Sequence, residues 1–230
     1  MMWLDQMIFL LPGLVLAGLA TLITQVTFSK YSRYRSVSGM TGAEAARRLL
    51  SVQGVRDVSV EPVGGFLTDH YDPITRTLRL SPAVYNSDSL SAVGVACHEA
   101  GHAIQHATHF APLSLRTALV PATQFGSSAS YIIFLVGLVI GSLALVKIGI
   151  MLFSLVVVFA LVTLPVEWDA SARAKRLMVT AGIVSPAEQA MAARVLNAAF
   201  LTYVASAFTA LMTLLYYLLR AGLLGGSRRD

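Results

Sequence analysis

Long apolar runs alternate with shorter polar stretches along this chain of 230 residues. Residues 7–28 are almost wholly apolar, and a helix of that length matches the ~30 Å hydrocarbon core of a bilayer. A second apolar block covers 131–165, and a third covers 198–219. The second block is long enough for two short spans, with a tight hairpin predicted at Lys147. The pattern therefore predicts four transmembrane helices, and three is the competing count.

The first apolar run is predicted to be an uncleaved anchor and not a signal peptide. No basic segment precedes it, and Asp5 is acidic. The run also exceeds the roughly 7–15 apolar residues that are usual for a signal peptide. We therefore expect it to stay in the membrane.

Basic residues next to the spans predict the orientation of the chain. Two clusters follow the first and the third predicted span: Lys30, Arg33, Arg35, Arg173, Lys175 and Arg176. The positive-inside rule places both clusters in the cytoplasm and, with four spans, both termini outside. Arg220, Arg228 and Arg229 favour the opposite orientation. The charges after the first helix carry more weight because they usually dominate topology.

The longest polar stretch, residues 29–128, predicts a small water-facing α+β domain. A T-G-A-E capping box opens its first helix, predicted over 41–52, and the second is predicted over about 89–108. Between them lie three short segments that predict an antiparallel β-meander: 58–63, 66–71 and 75–80. Another capping box, S-P-A-E at 185–188, opens the helix that continues into the last span.

Composition agrees with a membrane protein, because 56% of residues are hydrophobic and only 13% are charged. The charged share is about half of what a soluble domain carries. The net charge of +5 fits Lys and Arg side chains near lipid headgroups, and no nucleic-acid motif is present, so no nucleic-acid partner is expected. The single cysteine, Cys97, excludes an intramolecular disulfide and a cysteine-based zinc cluster, and we expect it to be a buried thiol.

An H-E-x-x-H motif at 98–102 falls within the second predicted helix of the polar domain. His98 and His102 are one helical turn apart and project from one face, which is the spacing needed for two imidazoles to hold one Zn²⁺. Glu99 lies beside them, placed to take a proton from a water that the metal activates. The motif predicts metal-assisted hydrolysis, and the alternative is two histidines on a polar helix face without a metal.

A catalytic zinc site needs a third protein ligand. The metzincin arrangement fails because Gln105 and Thr108 stand where its glycine and last histidine belong. His106 lies one turn further along the same face, but three imidazoles in a row do not converge easily on one tetrahedral ion. His106 is therefore the weaker alternative, and a glutamate on a separate helix is the stronger one.

Glu167 is the predicted third ligand. Two predicted spans separate it from His102, so that both residues lie on the same side of the membrane, whereas the three-span count would separate them. Asp169 lies two residues further on and faces away; it is predicted to orient a ligand histidine or to bind an arginine. The alternative for Glu167 is an interfacial acid at the start of a helix.

His70 and Tyr71 precede the motif and are the candidates for stabilising the oxyanion, because both offer N–H or O–H groups. The alternative is that both are surface residues of a turn or strand. We also expect an edge of the 58–80 region to pair with an extended substrate.

Several segments together resemble the YugP-like family of membrane neutral zinc metallopeptidases. These segments are L-T-D-H-Y-D-P at 67–73, L-S at 80–81, A-C-H-E-A-G-H-A-I-Q at 96–105 and E-W-D-A-S at 167–171. The plan of two histidines and a downstream glutamate is gluzincin-type and distantly similar to HtpX/Ste24-type membrane endopeptidases. Those enzymes have an aspartate four residues after the ligand glutamate, where this chain has Ser171. The resemblance implies a membrane-bound zinc metalloendopeptidase (EC 3.4.24-type).

The predicted fold is a mainly α membrane protein. It has four transmembrane helices plus a small α+β zincin-like domain with a short antiparallel β-meander and the H-E-x-x-H helix. Five parts follow along the chain: an anchor (1–28), the water-facing catalytic domain (29–128), a transmembrane hairpin (129–166), the third-ligand segment (167–184), and a helix that continues into the last span and tail (185–230).

The predicted function is hydrolysis of peptide bonds in membrane-associated proteins, with Glu99 as general base. The alternatives are a non-proteolytic chaperone or adaptor with a structural metal, and a zinc hydrolase of lipids or small molecules. We expect a multi-pass protein of a bacterial-type cell membrane, with the active site on the cytoplasmic side near the bilayer surface. Partners beyond the substrate and the bilayer stay open; small residues on the spans permit packing against other membrane proteins or a second copy.

Overall fold

The computed structural model describes the backbone of residues 2–224 and the side chains of 7–224. Arg228 and Arg229, which entered the orientation argument, lie outside the described residues. Seven helices and three strands follow along the described chain: α1 Met2–Tyr31, α2 Gly42–Val52, β1 Ser59–Pro62, β2 His70–Asp72, β3 Thr77–Leu80, α3 Pro82–Tyr85, α4 Leu90–Ala107, α5 Ala111–Val139, α6 Leu143–Thr180 and α7 Pro186–Arg220.

Within the described residues, four helices are long and apolar enough to cross a membrane: Met7–Tyr31, Ala111–Val139, Leu143–Thr180 and Pro186–Arg220. This confirms the predicted count of four and the mainly helical fold. The predicted start of the second span at residue 131 was too late. Polar residues along α5 do not interrupt the helix, because hydroxyls such as those of Thr123 and Ser130 donate to carbonyls of their own helix.

The hairpin between the second and third spans does not lie at Lys147, as the sequence had predicted. Lys147 lies inside α6, and the turn covers the residues between α5 and α6. Gly141 in this turn has φ 70°, a left-handed conformation that glycine adopts without steric cost. A single lysine does not end a helix. A tight reversal of the backbone, in contrast, is favoured by a glycine that can adopt a positive φ.

The three strands form one small mixed sheet in the order β1-β3-β2. β1 pairs in parallel with β3, and β2 pairs antiparallel with β3, so the predicted antiparallel meander was wrong. The apolar strand takes the centre: Leu78 and Leu80 of β3 are fully buried, whereas His70 of β2 is exposed. Pro62 in β1 lacks an N–H group, and an edge strand accommodates that loss.

All of the capping signals read from the sequence form in the structure. Thr41 accepts from the backbone N–H of Glu44, whose carboxylate accepts in return from the N–H of Thr41 at 2.9 Å. Ser89 caps α4 through a single bond, which it accepts from the N–H of Ala92. Each cap satisfies N–H groups that a helix start leaves without partners, which explains why these helices begin where they do.

The chain forms two compact units. One consists of Met1–Leu19, Leu115–Leu164 and Tyr203–Asp230, and the ring of Phe134 stacks on that of Tyr217 there, with centroids 4.0 Å apart.

The second unit consists of Ala20–Ser114 and Pro165–Thr202. Its core joins α2, β3, α4 and the second half of α6, through buried side chains that include Leu49, Leu78, Val93, Met178 and Ile183. Both candidate ligand segments belong to this unit.

Candidate metal centre

The motif helix α4 and the second half of α6 approach closely at Gly101. A Cβ atom on Gly101 would lie 2.7 Å from the backbone oxygen of Ala170, which is closer than a side chain can come. The absence of a side chain at position 101 therefore allows the two helices to touch. Glu167 lies about one turn before Ala170 on α6, so this contact brings its carboxylate to the histidines of α4.

His98, His102 and Glu167 converge on one point. One ligand atom from each residue lies within 4.8 Å of the other two. The Oε2 atom of Glu167 is 3.2 Å from Nε2 of His98 and 3.5 Å from Nε2 of His102. A tetrahedral zinc ion with bonds of about 2.0–2.1 Å holds its ligand atoms about 3.3 Å apart, and both distances to Glu167 are close to that value.

The three candidate ligand side chains are shielded from water to different degrees. Glu167 is 1% exposed and His102 is 7% exposed, whereas the side chain of His98 is 13% exposed. Burial by itself lowers the pKa of His102, but the hydrogen bond to Glu167 and the charges of Glu167 and Glu99 raise it more, so the net shift is upward. The carboxylates of Glu167 and Glu99 therefore favour positive charge at His102.

Glu99 is buried beside the ligand histidines. Burial raises the pKa of its carboxyl group above the usual value. The charges of His98 and His102 oppose that shift, and those of Glu167 and Asp69 add to it. A carboxyl group with a raised pKa both takes and returns a proton more readily near neutral pH.

The outer nitrogen of each ligand histidine has its own hydrogen-bond partner. Nδ1 of His98 lies 3.1 Å from the hydroxyl of Ser171, and Nδ1 of His102 lies 3.0 Å from Oε1 of Gln105. An amide oxygen can only accept a hydrogen bond, so Nδ1 of His102 donates to it and carries a proton. The other ring nitrogen, Nε2, points toward Glu167.

Gln105 is fully buried and joins α4 to α6. Its Nε2 group donates to the backbone oxygen of Val166 at 2.8 Å and to Oδ2 of Asp169 at 2.9 Å. Asp169 also accepts from Nε of Arg173 at 2.6 Å. Asp169 therefore binds an arginine, one of the two roles predicted for it, and contacts Gln105 and not a histidine directly.

Gln105 and Ser171 were not predicted as site residues. In the sequence, Gln105 only excluded the metzincin pattern, and Ser171 only marked a departure from related enzymes. Their spacing was a usable signal, because Gln105 lies three residues after His102 and Ser171 four residues after Glu167 on helices. Residues at these offsets share a helix face.

The candidate oxyanion donors lie in β2, and the structure records other partners for them. Nδ1 of His70, which is exposed, lies 2.7 Å from the backbone oxygen of Thr68. The hydroxyl of Tyr71 lies 2.8 Å from Nδ1 of His106, and burial raises the pKa of Tyr71 to about 12. His106 thus contacts Tyr71 and is not in the three-residue cluster found among the described residues.

Cys97 is a free, buried cysteine, as the sequence predicted. Burial raises the pKa of its thiol to about 12, so the group stays protonated and is a poor metal ligand.

Two histidines one turn apart, a glutamate from a second helix and an adjacent buried glutamate are the parts of a zinc-peptidase centre. The chain belongs to the family described as "Putative neutral zinc metallopeptidase", which matches residues 6–222. This confirms the predicted family, and Zn²⁺ is the metal that the family implies for the three-residue cluster.

A relative from Bacillus subtilis (strain 168) is named "Putative membrane protease YugP". It is 50% identical over 182 residues, which cover 79% of this chain and 81% of that protein. No solved structure matches the chain. The family, this relative and the four apolar helices together support a multi-pass membrane protein of the protease class.

Proposed function

We propose that the protein is a zinc-dependent endopeptidase that cleaves membrane-associated proteins. His98, His102 and Glu167 would hold the metal, and Glu99 would act as general base. The convergence of three ligand atoms within 4.8 Å, with a buried glutamate alongside, is the observation that carries this proposal. The family assignment supports the class of reaction.

A zinc ion held by His98, His102 and Glu167 would supply a Lewis acid, which would polarise the peptide carbonyl and lower the pKa of a water molecule so that it can be deprotonated near neutral pH. Glu99 takes the proton from the attacking water and returns it to the leaving amine. The raised pKa of Glu99 favours the first transfer, because a more basic carboxylate takes a proton from water more readily.

Gln105 and Ser171 are proposed to hold the histidines in the orientation that presents Nε2 to the metal. Outer hydrogen-bond partners of this kind fix the tautomer and the ring plane of ligand histidines. Gln105 does so for His102 at 3.0 Å, and its two further bonds keep its amide from rotating. Ser171 does so for His98 at 3.1 Å.

The oxyanion donor is proposed to come from β2, as either Tyr71 or His70. With a pKa of about 12, Tyr71 keeps its phenolic proton at neutral pH and can donate it in a hydrogen bond. Tyr71→Phe removes only that hydroxyl, so a loss in kcat with little change in KM would support Tyr71. A loss on His70→Ala with an unaffected Tyr71→Phe would assign His70 instead.

Cleavage on the cytoplasmic side near the bilayer is the proposed location. Lys30 and Arg33 follow the apolar run of α1, and Arg173 and Lys175 follow Glu167 on α6. Glu167 itself lies on the helix whose first part is the third candidate span. A substrate segment in or next to the membrane would therefore reach the ligands with little displacement.

The test is Glu99→Gln in the purified full-length chain. The amide cannot take a proton, so we expect the zinc content to stay at the wild-type level and cleavage of casein or a membrane-protein substrate to fall at least about 100-fold. Asp88→Asn, which removes a carboxylate paired with Arg35 outside the 58–80 region, is the matched control and should keep full activity. Full activity in Glu99→Gln would overturn the mechanism, and a zinc-free wild-type protein would overturn the function.

A further inference from the structure

A groove between α1 and α7 is a second candidate site, and it does not involve the metal ligands. Its walls are parts of α1 and α7 that both belong to the second compact unit. The hydroxyl of Thr24 on α1 donates to the backbone oxygen of Ala198 on α7 at 3.0 Å, which joins the two helices at the base. The groove has a volume of about 540 Å³.

One end of the groove is lined by donors and cations. Lys30, in the last turn of α1, is exposed and lies over the ring of Tyr31. Arg194 on α7 donates from its guanidinium to the hydroxyl of Tyr31 at 3.1 Å, which holds that cation at the groove. Asn197 accepts from Nζ of Lys175 at 3.1 Å through its amide oxygen, so its amide N–H groups remain as donors.

No Asp or Glu is among the described residues that line this groove. A second groove on the other side of α1 shares Lys30 and adds Arg33, and it is likewise lined without a carboxylate in the described part of the chain. The two grooves therefore surround the end of α1 with positive charge that no lining carboxylate neutralises. A ligand for this end must carry negative charge.

The other end of the groove is apolar. Ile23, Val26 and Leu201 line it and are 44%, 59% and 43% exposed. All three lie on helices that are candidate membrane spans. A soluble anion would fill only the cationic end and leave this apolar surface uncovered. A lipid covers both ends with one molecule, because its phosphate is polar and its chains are not.

We propose that the α1–α7 groove binds an anionic phospholipid. Its phosphate would lie between Lys30 and Arg194, with Asn197 as an additional donor, and an acyl chain would cover Ile23, Val26 and Leu201. A zwitterionic lipid would bring its own cation next to two protein cations and lose most of the attraction. This proposal does not depend on peptidase activity.

The test uses the full-length protein in a neutral detergent, with bound lipid counted by native mass spectrometry. Phosphatidylglycerol and phosphatidylcholine of identical chains are compared, and the charge-removing double variant Lys30→Gln/Arg194→Gln is the probe. Each cation near an anionic headgroup contributes about fivefold, so the double variant should bind phosphatidylglycerol about 10- to 30-fold more weakly. The matched control is Lys147→Gln/Arg220→Gln, which removes the same charge from exposed positions outside the groove.

The proposal requires that wild type prefers phosphatidylglycerol, that the probe variant loses the preference and that the control keeps it. Equal binding of the two lipids to wild type, or equal losses in probe and control, would overturn it. Displacement of the lipid by millimolar inorganic phosphate would instead identify a soluble anion as the ligand. Lys30→Gln alone leaves the bond between Arg194 and Tyr31 in place, so it tests the site even if the double variant does not fold.

Discussion

The surroundings of His98 and of His102 differ, although the two histidines are one turn apart on α4. His102 contacts an amide that is fully buried and is fixed by two bonds to α6. His98 contacts the single hydroxyl of Ser171, which can donate or accept, and its own side chain is the more exposed of the two. His102 is thus held by a hydrogen-bond network that joins two helices, and His98 by one hydroxyl group. We expect the loss of the contact at His102 to weaken metal binding more than the loss of the contact at His98.

The largest effect on zinc affinity is expected when Glu167, which contacts both histidines, is changed. Glu167→Gln keeps the size of the side chain but removes the charge that faces both Nε2 atoms. Zinc affinity should fall by more than about 100-fold, beyond what loss of an outer contact costs. Competition with a chelator measures it, and Glu61→Gln on β1 is the control. Unchanged zinc affinity would show that Glu167 is not a ligand.

Gln105→Ala should come next, with zinc affinity lower by about 10- to 100-fold. The change leaves Nδ1 of His102 and the backbone oxygen of Val166 without the bonds that Gln105 makes. Each such buried group costs about 1–3 kcal/mol of stability. Co²⁺ absorption spectra and thermal unfolding report the two effects separately. Loss of stability with unchanged zinc affinity would restrict Gln105 to a structural role.

Gly101→Ala tests the helix contact on which both histidines depend. Its Cβ would lie 2.7 Å from the oxygen of Ala170, and overpacking of this kind costs about 1–3 kcal/mol. Gly94→Ala on the same helix is the control, because its Cβ would meet Ala192 at an ordinary 3.5 Å. That variant should be neutral or more stable by up to about 1 kcal/mol. Equal melting temperatures of the two variants would contradict the close approach.

Ser171→Ala should have the smallest effect, a loss of zinc affinity of about 10-fold or less, because it removes a single hydrogen bond from the more exposed of the two histidines. The same chelator competition measures it. If Ser171→Ala weakens zinc binding as much as Gln105→Ala does, the difference between the two histidines has no energetic meaning.

Much of the local structure could be read from the chain because its signals are local. Capping boxes at 41–44 and 185–188 are satisfied within one helical turn, so no distant residue is needed to form them. A span needs only enough consecutive apolar residues, and four such helices are present in the described chain. The histidine pair follows from helical spacing alone.

The errors concern choices that no local signal makes. Polarity placed the hairpin at Lys147, but the chain reverses at Gly141, where the backbone adopts φ 70°. Alternation identified the strand regions but not their order. The order depends on which strand is buried most deeply. β3, whose Leu78 and Leu80 side chains are fully buried, takes the central position.

The sequence by itself therefore determined the number of candidate membrane spans, the capped helix starts, the family and the helical spacing of the two histidines, since each rests on neighbouring residues or on a whole-chain pattern. It also predicted Glu167 as the third candidate ligand, because two predicted spans place Glu167 and His102 on the same side of the membrane. Only the tertiary structure decided that Glu167 meets both Nε2 atoms, and that Gln105 and Ser171 hold the outer nitrogens. The reason is physical: these contacts join α4 to α6 across more than sixty residues of chain, and they form only where Gly101 lets the two backbones touch.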